Sequence, residues 1–221
     1  WACLKSVDDS MGRIYEALKA TGELDNTLIV FAGDNGMFLG EHGMTDKRSM
    51  HEESIRVPML ARLPGVIPPG TTVEEQVLNI DLAPSVLDIC GAEPLGDIHG
   101  ASWKPLLAGK ADGWRTAWYY EYNYEKQFPY TPNVRGVRTD EWKYMTYPPG
   151  GPDARTYKAE LYNLKEDPEE RNNLIDDPQY ADVVKRMETH LARLKKETGA
   201  VPDEMPVYEG IKKELPEESI R

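Results

Sequence analysis

The sequence predicts an α/β fold in two parts: a helix–strand unit belonging to a central sheet, then a small antiparallel sheet with a packed helix. Three observations carry this. Val7, Met11, Ile14, Tyr15 and Leu18 recur at helical spacing and lead into the apolar run Thr27–Ala32. Four short β-favouring stretches, at 117–123, 134–139, 142–147 and 160–164, are joined by polar turns. A last stripe of Tyr180, Val183, Val184, Met187, Leu191 and Leu194 marks a helix from 178 to 196. Near residue 110 the composition shifts toward aromatics, which sets expected domains of 1–110 and 111–221.

Taken in order, residues 7–20 form an amphipathic helix that Ser6 is placed to cap and Gly22 to end. The strand 27–32 follows. Helix then strand is half of a βαβ unit, so the pattern predicts a parallel sheet and a strand buried on both faces. Residues 33–56 mix glycines with charges, and a loop of that length in a compact domain is usually functional. Val57–Ala61 reads as a strand with Pro58 at its start or on an edge, because proline donates no ladder bond. Asp81 is placed to cap a helix over 82–90 that Gly91 stops, with Cys90 expected as a buried thiol on its apolar face. The aromatic group from Trp114 to Tyr130 is expected to pack between the two sheets, and the Pro- and Glu-rich tail after Gly199 to wrap or fray.

Composition narrows the function. The 221 residues carry a net charge of −12, which speaks against nucleic acid, since phosphate recognition wants clustered lysine and arginine. A mean hydropathy of −0.60 describes a water-facing chain, and its apolar runs fall short of the roughly 18 residues that span a bilayer. The two cysteines give no disulfide framework.

The chemistry gathers after the first strand. Asp34-Asn35-Gly36 puts a carboxylate and an amide oxygen side by side where α/β sheets hold their sites. Two oxygen donors suit a hard cation; the same triplet also makes an ordinary turn. Next come Gly40-Glu41-His42-Gly43, then Asp46-Lys47-Arg48-Ser49-Met50-His51-Glu52-Glu53-Ser54-Ile55-Arg56-Val57-Pro58. On residue type alone, Lys47 is a solvated loop lysine or an anion contact, and His42 is a structural or a ligand-binding imidazole.

This order, with Asp81-Leu82-Ala83-Pro84-Ser85 and Glu160-Leu161-Tyr162-Asn163-Leu164-Lys165-Glu166-Asp167-Pro168 downstream, resembles the type I sulfatases of the alkaline-phosphatase-like superfamily. It is most similar to the branch of N-acetylglucosamine-6-sulfatases and related bacterial enzymes, from about Val7 to Leu194. The resemblance implies Asp34 and Asn35 as ligands of Ca²⁺, with Mg²⁺ as the alternative. It makes Lys47 the lysine that contacts the sulfate, with His42 a further polar contact and Arg48 a substrate contact. It implies a sulfated carbohydrate or aryl sulfate as substrate. The location expected is periplasmic or secreted for a bacterium, lysosomal or extracellular for a eukaryote. The family's C-x-P-x-R or S-x-P-x-R, whose Cys or Ser becomes the formylglycine nucleophile, is missing: Cys3 precedes Leu4-Lys5-Ser6 and Cys90 precedes Gly91-Ala92-Glu93. The nucleophile and further metal ligands are therefore expected in an N-terminal half of the same protein, and this chain alone is expected to be inactive. Glu52 and Arg56 are expected to form an ion pair bracketing the Lys47 loop, His51 to pack, and Arg135 and Arg138 to be surface residues within reach of an anionic sugar. Two alternatives stay open: a phosphoesterase or phosphonate hydrolase of the same superfamily, and a non-catalytic binding module.

Overall fold

The structure, a computed structural model, describes residues 1–123, 131–148 and 157–200. In chain order the elements are α1 (Ala2–Thr21), β1 (Ile29–Ala32), β2 (Phe38–Leu39), β3 (Thr45–Asp46), α2 (Glu52–Ile55), β4 (Met59–Arg62), α3 (Leu82–Cys90), β5 (Ala117–Tyr122), β6 (Val134–Thr139), β7 (Trp142–Thr146), β8 (Glu160–Asn163) and α4 (Ala181–Glu197). Contacts divide the chain into two units. One is residues 1–34 with 57–112; the other is 35–56 with the residues from Gly113 onward.

In the first unit α1 starts five residues earlier than the capping reading puts it. Trp1 is its N-cap, and Ser6 lies inside the helix, donating its hydroxyl to the Ala2 carbonyl at 3.1 Å. Gly22 ends α1 at φ 77°, its N–H reaching back to the last carbonyls, as a left-handed C-cap should. The strands correct two expectations. β1 pairs antiparallel with β4, from Ile29 opposite Arg62 to Ala32 opposite Met59, and among the described residues it has no parallel partner. The segment between them reverses direction without a crossover, and that geometry gives an antiparallel pair. Nor is β1 buried on both faces, since Phe31 and Leu60 are both exposed. Pro58 lies just before β4, and its carbonyl accepts the Gly33 N–H at 3.1 Å.

α3 ends at Gly91, φ 66°. Asp81 is its N-cap residue, as expected, but its side chain makes no capping bond. Its carboxylate is fully buried and accepts the N–H groups of Leu78 at 2.7 Å and Ala101 at 2.8 Å. Ser85 links the same turns, donating to the Asp81 carbonyl and accepting from the Trp103 N–H at 2.9 Å. Cys90 is exposed, not buried: the helix stops one residue later, so no further turn covers it.

The second unit is a four-stranded antiparallel meander in the order β5-β6-β7-β8. Alternation along the strands separates two faces. Ala117, Val137, Trp142, Tyr144 and Leu161 meet Met187, Leu191 and Leu194 of α4 on one. Val134, Met145 and Tyr162, with Trp118, Tyr120 and Tyr122 beside them, close over Met50 on the other. These aromatics thus pack against the loop 35–56 and not between two sheets; Tyr124, Phe128 and Tyr130 lie outside the described residues. Gly136 has no space for a Cβ, which would overlap the Met50 sulfur, so a glycine in β6 is what lets Met50 lie on the sheet. The tail from Val201 also lies outside the described residues.

Candidate functional site

Residues 35–56 fold as a small hairpin, β2 against β3, followed by the single turn of α2. Gly36 fixes the start of the loop. Its N–H donates to the Ser54 carbonyl at 2.7 Å, and a Cβ there would overlap the backbone of Glu53. Ser54 is buried and turns its hydroxyl onto the Lys47 carbonyl. Lys47 in turn extends its ammonium to the Asn35 amide oxygen, Nζ to Oδ1 2.9 Å, across 12 residues of sequence. Asn35 and Lys47, read separately from the sequence, are therefore direct partners in the second unit. Asp34 precedes Asn35 covalently and is the last residue of the first segment of the other unit.

The remaining candidates separate. His42 has a left-handed backbone, φ 53°, and its Nε2 lies 3.3 Å from Glu53. Its ring is 4.3 Å, centroid to centroid, from that of His51. His51 is buried and packed, with its Nδ1 2.7 Å from the Ser49 hydroxyl and its Nε2 3.4 Å from Glu160. Tyr147 and Tyr162 also direct their hydroxyls at Glu160. Burial alone would raise the Glu160 carboxyl; the bonds from His51 and the two tyrosines outweigh it, and the group sits below the usual carboxylate range. Arg48 is held by Asp46, two residues before it.

Glu52 departs from expectation. It does not pair with Arg56. Its carboxylate lies 2.8 Å from Lys143 Nζ and 2.9 Å from Arg138 Nε, and its backbone N–H donates to Glu170 Oε2 at 2.7 Å. The reason is position: β6 and β7 project Arg138 and Lys143 onto the face that α2 covers. Burial pushes the Glu52 carboxyl up, but Lys143 and Arg138 together hold it at about 2. Arg138 is therefore committed to Glu52. Arg135 is buried, bonding the carbonyls of Tyr122 and Val134, so neither arginine is the surface residue expected. Sequence reasoning missed Lys143 and Glu170. The signal was there for Lys143, a lysine between Trp142 and Tyr144 in a strand of apolar residues, because lysine is buried only when paired. His42, Glu53 and Glu170 offer ligand atoms within 4.8 Å of one another. The Lys143 ammonium already neutralises Glu170 at 2.6 Å, so the group reads as an ion network and not a metal centre.

The family described as N-sulphoglucosamine sulphohydrolase, C-terminal, matches residues 40–197. The chain belongs to this family. The match begins at Gly40, just after β2, and runs through the rest of the Lys47 loop, residues 57–112 of the other unit, the meander and α4. An N-acetylglucosamine-6-O-sulfatase of Bacteroides thetaiotaomicron is 40% identical over 203 residues, 89% of this chain and 34% of that protein. A protein solved in complex with its substrate D-glucosamine-2-N,6-O-disulfate superposes with a TM-score of 0.83 at 37% identity, over 92% of this chain and 41% of that one. The phosphonate monoester hydrolase of Agrobacterium radiobacter superposes at 0.74 and 29% identity, over 87% of this chain and 39% of that one. The chain spans about a third of the length of the curated relatives it matches. The α/β class with its small antiparallel sheets is the one these solved structures share.

Proposed function

We propose that this chain is the C-terminal part of a sulfatase that hydrolyses sulfate esters of sulfated sugars. The contact between Lys47 and Asn35 at 2.9 Å carries the reading, because it joins the two sequence candidates on one small patch of the loop. The 40% identity to an N-acetylglucosamine-6-O-sulfatase supports the substrate class. On this reading the Lys47 ammonium binds the sulfate and stabilises the charge that grows on its oxygens as the ester bond breaks. His42 adds a hydrogen bond to the sulfate or to a sugar hydroxyl, and Arg48 contacts the substrate.

Asp34 and Asn35 fit a divalent cation by donor type: a carboxylate and an amide oxygen are what Ca²⁺ or Mg²⁺ takes. An amide oxygen has two lone pairs, so an ammonium and a cation can share it. When bound, such an ion polarises a sulfate oxygen as a Lewis acid. Ca²⁺ takes more oxygens than these two residues provide. Its further ligands and the formylglycine nucleophile are assigned to a segment preceding Trp1. A periplasmic or secreted location goes with that substrate in a bacterium, a lysosomal or extracellular one in a eukaryote.

The test is K47A in the full-length gene product, assayed with an aryl sulfate and glucosamine 6-sulfate. A loss of about 10²–10³ in kcat is expected, the scale of removing one charge-stabilising donor; a wild-type rate overturns the reading. The pure 221-residue chain is expected to show no turnover, and turnover would contradict the placing of the nucleophile outside it. The likeness to a phosphonate monoester hydrolase favours one second reading, phosphonate monoester hydrolysis. A phosphonate monoester turned over faster than either sulfate would decide for it.

A further inference from the structure

Four charged groups close a ring beneath the Lys47 loop. Glu52 begins α2, five residues beyond Lys47, and its Oε1 lies 2.8 Å from Lys143 Nζ. The same ammonium lies 2.6 Å from Glu170 Oε1, and Glu170 Oε2 accepts the Glu52 backbone N–H at 2.7 Å. Arg138 adds its guanidinium to the Glu52 carboxylate, Nε at 2.9 Å and Nη2 at 3.3 Å. Two carboxylates and two cations balance. The Lys143 and Glu170 side chains are 0% exposed. Glu170 keeps a left-handed backbone, φ 53°, which is uncommon for a residue other than glycine and puts its carboxylate between α2 and the sheet.

Buried ion pairs add little net stability compared with apolar residues of the same volume, because each charge gives up its water. Their distinct property is direction. Met50 supplies apolar burial beside the ring, but one flexible methionine does not set the orientation of a helical turn. The ring does, since one ammonium must answer two carboxylates at once; Lys143 Nζ and Glu170 Oε1 hold each other as opposite charges at 2.6 Å, without a hydrogen bond, while the Glu52 N–H bonds Glu170 directly. From Glu52 a short covalent path leads to Ser54, whose hydroxyl holds the Lys47 carbonyl and whose own carbonyl holds Gly36 beside Asn35.

We propose that Lys143 and Glu170 are positioning residues: acting through Glu52 and Ser54, they set the placement of Lys47 from the C-terminal sheet. The inference rests on the reading that Lys47 contacts the sulfate, and it goes beyond that reading by giving the meander and the Asp167-Pro168-Glu169-Glu170 turn a part in the reaction.

A double-mutant cycle in the full-length gene product tests it. E170Q keeps the size of the side chain and an acceptor for the Glu52 N–H but removes one charge of the ring. It is expected to lower kcat/KM for the sulfate ester about 10- to 100-fold, the scale of a misplaced catalytic group. In a K47A background the further loss is expected to shrink to within about twofold, because a residue that acts only through Lys47 has nothing left to place. Where E170Q does not fold, K143M/E170Q carries the same cycle: it removes one cation and one anion and leaves Glu52 with Arg138. Near-ultraviolet circular dichroism and the melting temperature establish the fold of each variant. An unchanged kcat/KM in a folded variant overturns the inference, as does an equal loss in both backgrounds or the failure of both variants to fold, which would make the ring a requirement of the fold itself. K47A at the wild-type rate overturns the site reading and this inference together; an impaired K47A with additive losses overturns this inference alone.

Discussion

At the scale of single residues, Glu52 shows what burial does to a charge. Solvent loss opposes its ionisation, yet two cations within 3 Å keep it ionised down to about pH 2, from an ordinary value of 4.5. The folded value lies below the unfolded one, so between these values the unfolded chain binds the extra proton and stability rises with pH. The contribution is present in full above about pH 4.5 and is lost as pH falls toward about 2. Urea midpoints measured from pH 5 to pH 2.5 are expected to fall, and the fall is expected to be shallower in E52Q; equal slopes would remove Glu52 as the cause. Gly36 makes the complementary point by having no side chain. The amide that holds the loop start to Ser54 can approach only because no Cβ stands in the way.

At the scale of elements, the meander has two buried faces with different tasks. α4 covers one and the Lys47 loop the other, and the period-2 alternation of β5 to β8 sorts the residues between them. Truncation separates the tasks. M50A and L191A each remove a buried side chain and are expected to cost about 2–5 kcal/mol of stability. On the proposed function, M50A in the full-length product also lowers kcat, because its cavity opens under the loop, whereas L191A keeps kcat at temperatures where it is folded. Equal kcat for both variants would mean that the loop does not depend on the sheet beneath it.

At the scale of the molecule, the two units differ in how well they cover themselves. The buried apolar residues from Ala117 onward form two clusters around the meander. In the other unit, Leu4, Val7, Ile14 and Tyr15 of α1 are exposed, as are Phe31 of β1 and Leu60 of β4. Apolar surface on that scale, next to a two-stranded sheet with open edges, favours association. The 221-residue chain alone is expected to self-associate and to bind a hydrophobic dye. A monodisperse monomer by light scattering, with no dye binding, would argue against this. Among the described residues no helix is long and apolar enough to cross a membrane.

The sequence by itself determined the elements and the candidate residues. Helical and alternating periodicity is local, so α1, α3, α4 and the four strands of the meander were legible to within a few residues. The order of short motifs around Asp34, Asn35, His42, Lys47 and Arg48 marked the loop. Only the tertiary structure decided pairing and partners: that β1 runs antiparallel to β4, that Glu52 chooses Lys143 and Arg138 over Arg56, and that Glu170 closes the ring from 118 residues away. The physical reason is range. Periodicity and capping act over a few residues of chain, whereas buried charges must find opposite charges wherever the fold brings them, and no local pattern records that distance.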